Sequence, residues 1–345
     1  MSLRLSFERR GLRMSRPLVS AFGTVREREL LAVSITDSEG ARGYGEAAPL
    51  QAYDGVSLER VERALGSYAE VLEASEGMNG AQMLDACRRV EDLPAALAAI
   101  DLALWDLAGR REGKPVALLL SDEPAPEVPV NATLSALDRA GVAEQAARAV
   151  REGFTCLKVK VGIGDDAGRL AATRAAAGPQ VALRLDANGA WNVEEAVKAI
   201  DALSPVGLEL VEEPAHGLQA VRDVRERVAV RVAIDETAAE PGALTAAVAD
   251  AVCLKISRCG GIAGLLAAAA LVRSTGAEVY LASTLDGPLG VAAAVHAAAA
   301  LASRGPLAHC GLATLGLFED LEDPLPVRAG RITLPSAPGL GVEPI

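Results

Sequence analysis

Five short apolar runs, each closed by a charged side chain, constrain this chain more than anything else in it. The runs are residues 155–160, 181–186, 208–211, 230–234 and 251–254, and the closing charges are Lys160, Asp186, Glu212, Asp235 and Lys255. Successive charges are 26, 26, 23 and 20 residues apart. A strand, a loop, a helix and a second loop need about that much chain, so the spacing predicts successive βα units in a parallel sheet. A residue type that recurs at the carboxyl end of each strand then lies on one rim. In parallel α/β architectures that rim is where chemistry is done.

The residue types narrow the chemistry. Asp186, Glu212 and Asp235 are three anionic oxygen donors from consecutive strands, a set suited to a hard divalent cation, Mg²⁺ or Mn²⁺. Lys160 precedes the trio by one unit and Lys255 follows it by one, which puts an amine on either side. An amine beside a metal and another cation is expected to have a lowered pKa, as a general base requires. Lys158 lies two residues before Lys160 and shares its face of the strand. The chain has 29 arginines but only five lysines, and three of the five fall on this rim. Arginine cannot give up its proton in a protein, so it cannot stand in for a proton carrier. Simple salt bridging explains any one of these residues but not the ordered set.

Length allows a barrel of about 200–250 residues plus a second unit. The net charge of −12, without a Lys/Arg run, argues against nucleic-acid or anionic-membrane partners. The longest apolar stretch, residues 288–302, is interrupted by His296 and predicts a buried helix, not a membrane span. Five scattered cysteines without a CxxC suit a reducing, cytoplasmic setting. Only three histidines are present, and P-loop, GxGxxG and HExxH patterns are absent, so His-based catalysis has little to work with.

Taken in order, residues 2–8, 29–37 and 42–46 predict strands, and helices are expected over 57–73, 80–90, 93–110 and 115–120. The expected domains are an α+β cap at 1–120, a barrel at 121–320, and a tail at 321–345 that returns to the cap. Barrel strands begin at 128–134 and end with 278–283 and 307–311. Helices are expected near 138–152, 165–177, 192–203, 217–228, 240–248, 261–274 and 288–303.

These residues together resemble the enolase superfamily, in its muconate lactonizing enzyme subgroup. The matching signatures are Lys158-Val159-Lys160, Asp186-Ala187-Asn188, Glu212-Glu213-Pro214, Asp235-Glu236, and Lys255 with Gly260-Gly261. Gly43–Ala48 matches the first-lobe signature. The resemblance covers nearly the whole chain. It implies a modified TIM barrel, (β/α)₇β, under an α+β capping domain, with Mg²⁺ on Asp186, Glu212 and Asp235. It also implies that Lys160 and Lys255 exchange the proton α to a carboxylate, with Lys158 supporting Lys160. Asn188, Glu213, Glu236, Ser283 and Thr284 become candidates for orienting ligands or contacting substrate. Loops near 16–24 and 49–53 are expected to close over a small-molecule carboxylate, and Arg16 and Arg258 are distant candidates for a second carboxylate. Self-association is left open.

One scaffold hosts several reactions. Dipeptide epimerases of the subgroup carry an Asp-x-Asp pair on the last strand. Here the stretch reads Gly311-Leu312-Ala313-Thr314, without an acid, and is more similar to o-succinylbenzoate synthases. Dehydration of 2-succinyl-6-hydroxy-2,4-cyclohexadiene-1-carboxylate, a step of menaquinone biosynthesis, is therefore the first expectation. Racemisation or epimerisation of N-acyl amino acids or dipeptides is the alternative, and cycloisomerisation comes third. A member that only binds a ligand is disfavoured by the intact lysines and carboxylates.

Overall fold

The structure is a computed structural model that describes residues 2–20, 23–319 and 321–345. The first sheet is antiparallel and runs β1 (Arg4–Ser20), β2 (Gly23–Thr36), β3 (Arg42–Ala47). β1 and β2 make a hairpin paired from Arg4↔Thr36 to Ser20↔Gly23, with a register shift between Arg13 and Leu18. Residues 9–20 and 23–28 therefore extend the strands beyond the expected 2–8 and 29–37. Most of this ribbon is exposed, and its few buried side chains, among them Leu12, Met14 and Val25, give only a short alternating stretch. Of the loop expected at 16–24, residues 16–20 and 23–24 are strand; Ala21 and Phe22 lie outside the described residues.

Helices α1 (Gln51–Asp54), α2 (Leu58–Glu73), α3 (Gly80–Val90), α4 (Pro94–Glu112) and α5 (Val116–Leu120) follow. Their ends are set locally. The Ser57 hydroxyl accepts from the Arg60 amide at 3.3 Å, and Asn79 and Gln82 form a capping box. α4 opens on proline and stops at Gly113 in the left-handed conformation. β3 rests on α4 backbone to backbone. A Cβ at Gly45 would lie 2.1 Å from the Ala99 carbonyl oxygen, and one at Gly43 would lie 2.2 Å from that of Ala103. The Gly-Tyr-Gly pattern is thus a packing requirement.

After β4 (Glu127–Pro129), strand and helix alternate: β5 (Ala132–Leu134), α6 (Arg139–Arg151), β6 (Cys156–Lys160), α7 (Asp166–Ala177), β7 (Ala182–Asp186), α8 (Val193–Leu203), β8 (Leu210–Glu212) and α9 (Leu218–Arg225). Next come β9 (Arg231–Ile234), β10 (Ala251–Leu254), α10 (Ile256–Cys259), α11 (Ile262–Ser274), β11 (Glu278–Leu281) and α12 (Pro288–Ala302). The strands β5 to β11 form one parallel sheet in chain order. It closes through two residues. Cys310 bridges Val130 and Gly311 bridges Ala282, with Cys310 N donating to Pro129 O at 2.8 Å and Gly311 N to Leu281 O at 2.8 Å. The eighth strand expected at 307–311 is reduced to this seam, giving the enolase-like (β/α)₇β barrel.

The helix expected at 240–248 does not form. Two short 3₁₀ turns, Glu236–Ala239 and Ala243–Thr245, stand there instead. Pro241 lacks the amide a helix would use, and Gly242 sits at φ 83°. The tail first adds β12 (Val327–Arg328) and β13 (Arg331–Thr333) to β4, not to the first sheet. It then reaches the first lobe, where Leu340 N donates to Asp106 Oδ1 at 2.7 Å and Arg10 Nε to Ile345 O at 2.6 Å.

Three apolar clusters result: one in and around the barrel, one under the first sheet, and a small one where Leu12, Met14 and Val25 of the hairpin meet Leu285 and Phe318. Asp101 on α4 joins the two parts. Its Oδ2 accepts from Ile262 N at 2.5 Å and Ala263 N at 3.2 Å, so a first-lobe carboxylate caps α11. Among the described residues no helix is long and apolar enough to cross a membrane.

Candidate active site

The register of the parallel sheet brings the charged series to one rim. Lys160 pairs with Asp186 across β6 and β7, and Asp186 with Glu212 across β7 and β8. Asp235 and Lys255 follow directly on β9 and β10. All six lysine and carboxylate side chains are buried. Lys158 Nζ lies 2.7 Å from both Asp186 Oδ2 and Glu212 Oε1, and Lys160 Nζ lies 2.7 Å from Asp186 Oδ2. Lys255 Nζ lies 2.6 Å from Asp235 Oδ2. Lysines from β6 and from the end of β10 therefore flank an acidic cluster.

The electrostatics of this arrangement differ from the lowered lysine pKa expected above. Burial, the largest single influence on Lys255, disfavours its ammonium. The summed attraction of Asp235, Cys253, Glu236 and Glu212 outweighs it and holds the group above the ordinary lysine range. Lys158 is raised in the same way, with Asp186 and Glu212 overcoming burial. Here the ammonium groups are the cations that neutralise the carboxylates. Asp186, although buried, is held well below the usual carboxylate range by Lys158 and Lys160. Burial pushes Glu212 up, and Asp186 and Asp235 add to that against Lys158.

The surrounding candidates separate into different geometries. Asn188 bridges: its Oδ1 accepts from Lys160 at 2.8 Å and its Nδ2 donates to Glu236 Oε1 at 2.9 Å. Glu236 is pushed to about 8, by burial first and then by Asp235 and Asp186. Glu213 faces the backbone instead. It accepts from Asp235 N at 2.8 Å and from Thr237 N at 3.0 Å, fixing the turn after β9. Ser283 and Thr284 line the chamber, and both hydroxyls are tied to Asp286. Ser283 Oγ accepts from Asp286 N at 2.8 Å, and Thr284 Oγ1 donates to Asp286 Oδ1 at 2.6 Å. His216 Nδ1 lies 3.1 Å from Glu213 Oε1 and His309 Nε2 lies 3.0 Å from Thr155 Oγ1; His296 is wholly buried.

Three participants were not singled out by sequence. Tyr53 of α1 reaches in from the first lobe, donating to Asp235 Oδ1 at 2.7 Å while accepting from Lys255 Nζ at 2.8 Å. Buried Arg28 steadies the segment leading to it by donating to the carbonyls of Ala48 and Pro49. Tyr280, on β11, donates to Glu212 Oε2 at 2.7 Å. Cys253 places its sulfur beside Glu212 and Asp235. Its position two residues before Lys255 was the available signal, because alternate strand residues share a face.

Leu18, Leu50 and Tyr53 from the first lobe cover a chamber of about 80 Å³ above Lys158, Lys160 and Lys255. Thr314 also lines it, and its buried hydroxyl has no partner.

With this geometry in place the comparisons are decisive. Residues 141–345 match the enolase C-terminal domain-like family, and residues 7–121 match the N-terminal domain of mandelate racemase / muconate lactonizing enzyme. The chain belongs to the enolase superfamily. Within it, the dipeptide epimerase of Enterococcus faecalis V583, crystallised with Mg and L-Leu-L-Tyr, is 28% identical with a TM-score of 0.89, covering 99% of each chain. The N-succinyl Arg/Lys racemase of Bacillus cereus is 26% identical with a TM-score of 0.92, covering 99% of this chain and 95% of that one. The o-succinylbenzoate synthase of Thermobifida fusca is 41% identical over 217 residues, 59% of this chain and 66% of that protein. As a superfamily enzyme the chain has relatives that are isomerases and lyases.

The three carboxylates, not the neighbouring thiol, suit a hard cation. Oxygens of Glu212 and Asp235 and the sulfur of Cys253 lie within 4.8 Å of one another. Asp186 stands outside that trio, its Oδ2 being held by two lysines, but Lys158 links it to Glu212. Three buried carboxylates balanced by ammonium groups are a place where a divalent cation can be exchanged for lysine charge.

Proposed function

We propose that this enzyme moves a proton on and off the carbon α to a carboxylate, as a racemase or epimerase of N-acylated amino acids. The observation that carries this reading is the placement of Lys160 and Lys255 on opposite sides of one acidic cluster. A substrate held between them presents one face of its α-carbon to each ammonium or amine. Lys160, as neutral amine, takes the α-proton from one enantiomer and the Lys255 ammonium delivers its own proton to the opposite face, or the reverse. Lys158 keeps Asp186 and Glu212 in place, and Asn188 orients Lys160. Asp186, Glu212 and Asp235 would hold Mg²⁺, with Mn²⁺ as its substitute. When bound, the ion supplies positive charge to the substrate carboxylate, where negative charge grows as the proton leaves.

The nitrogen end of the substrate argues for an acyl group. A free ammonium needs a carboxylate partner when desolvated. Among the described residues, the carboxylates lining the chamber, Asp186 and Asp235, are already engaged by lysine, and Gly311–Thr314 carries no acid. The free hydroxyl of Thr314 suits a neutral amide. Relatives that racemise or epimerise amino-acid derivatives support this reading over the dehydration first expected from sequence.

Dehydration to o-succinylbenzoate stands as the second reading, favoured by the Gly311-Leu312-Ala313-Thr314 stretch and the 41% identity to the Thermobifida fusca synthase. One experiment separates the two. The Mg²⁺-loaded enzyme is incubated in D₂O with N-acyl amino acids and dipeptides, and assayed in parallel with the cyclohexadiene carboxylate. Deuterium uptake with inversion at the α-carbon of the acylated substrates supports the first reading. Fast dehydration with slow or absent inversion replaces it with the second.

A further inference from the structure

Beyond the reaction chamber, a cavity of about 630 Å³ lies between the first lobe and the barrel. That is within the range of small-molecule sites, about 300–1,000 Å³. Its walls are mainly apolar, with Pro94 and Ala95 at the start of α4 and Leu244, Ala268 and Leu271 on the barrel side. Two cations line it, Arg258 on α10 and Lys255, together with the carboxylates of Asp54, Asp235 and Glu240; Lys255 is committed to Asp235, which leaves Arg258 as the uncommitted cation. Its guanidinium lies 5.1 Å from the centre of the Tyr53 ring, on which it stacks. Among the described residues it makes no side-chain hydrogen bond or ion pair. This is unusual company for an arginine here, because many of the others are tied to a carboxylate or a carbonyl. Tyr53, Asp235 and Lys255 form the wall shared with the chamber, where the Tyr53 hydroxyl contacts the other two.

We infer that this cavity is a second binding site, for a carboxylate carried on an apolar body, with Arg258 as its anion anchor. The apolar walls take the body out of water, and the half-buried guanidinium gives the carboxylate a bidentate, charge-assisted partner. Two sources have this chemistry: the far end of a dicarboxylic acyl group on the substrate, and a separate amphipathic acid.

Binding is tested with octanoate as probe, titrated calorimetrically into the Mg²⁺-loaded protein without substrate, with octanamide as the neutral control. The expected result is one saturable site at which octanamide binds at least tenfold more weakly. Arg258→Gln should weaken octanoate at least tenfold, and Ala267→Phe, which puts a ring in the mouth from the exposed side of α11, should abolish binding. Lys160→Ala should leave it unchanged. Equal affinity in Arg258→Gln and Ala267→Phe, or loss in Lys160→Ala, places the probe in the reaction chamber and overturns the inference. A kinetic arm, which alone rests on the proposed reaction, identifies the source. A tenfold rise in KM in Arg258→Gln, confined to amino acids acylated with a dicarboxylic acid, assigns the cavity to the substrate's far end. KM unchanged for these and for N-acetyl substrates, with octanoate binding lost, assigns it to a separate acid.

Discussion

The ammonium of Lys255 donates to the hydroxyl of Tyr53 at 2.8 Å, joining a barrel lysine to a residue of the first lobe. The same hydroxyl donates to Asp235, so one phenol links a base candidate to a metal-ligand candidate. Closure by the first lobe and the charge state of the rim are thereby coupled.

Tyr53→Phe removes a donor that competes for Asp235 Oδ1. Mn²⁺ affinity is expected to rise several-fold, about 1 kcal/mol, the size of one net hydrogen bond. Titration followed by electron paramagnetic resonance reads this directly. Unchanged or weaker affinity would mean that the hydroxyl does not compete with the metal.

Lys158→Met leaves Asp186 and Glu212 buried with less compensation. Removing one partner of a buried ion pair costs about 3–5 kcal/mol, so denaturant midpoints in EDTA should fall accordingly. Mg²⁺ should raise the midpoint of the variant more than that of the wild type, because it replaces the missing charge. An equal shift in both proteins would argue that the cation binds elsewhere.

Lys160→Ala and Lys255→Ala should each lower turnover by about 10²–10⁴. The partial reactions are more informative. Each variant should still exchange the α-proton of one enantiomer with D₂O, and the two variants should choose opposite enantiomers. Exchange of the same enantiomer by both would exclude a two-face mechanism.

His296 predicts a pH dependence of stability. The buried ring accepts from Ala117 N at Nδ1, 3.1 Å, and Nε2 lies 3.1 Å from Leu340 O, to which it donates as the neutral ring. Burial lowers its pKa to about 4, from 6.5 when unfolded. Between those values the unfolded chain binds the proton and the folded chain does not. Its contribution is therefore present above pH 6.5 and is lost as pH falls through about 4, roughly 3 kcal/mol in all. His296→Gln should flatten this limb in urea titrations at successive pH values; an unaltered slope would assign it to other groups.

The ordered charges were legible in sequence because each closes a strand, and the one-residue precision of parallel register carries them to one rim. Lys158 and Lys160 needed only the two-residue repeat. Tyr53 was not legible as a partner, since its contact with Lys255 spans 202 residues and depends on how the lobes dock. The 3₁₀ turns at 236–245 had their signal in Pro241 and Gly242, which local propensity for helix masked. The hairpin residues 9–20 and 23–28 gave little, because only a few of their side chains, among them Leu12, Met14 and Val25, are buried. The seam at Cys310 and Gly311 is too short for any periodicity.

Asn188 and Glu213, at the ends of β7 and β8, hold left-handed backbones at φ 45° and 42°. Asparagine tolerates that region better than glutamate does. Such conformations cost about 1–3 kcal/mol each and persist only where the surroundings enforce them. A selection for heat resistance alone would therefore press towards glycine at Asn188, and the molecules it returned would have lost the amide that steers Lys160. At Glu213 it would not, because the buried carboxylate satisfies the amides of Asp235 and Thr237. Robustness and activity pull apart at the first position and together at the second.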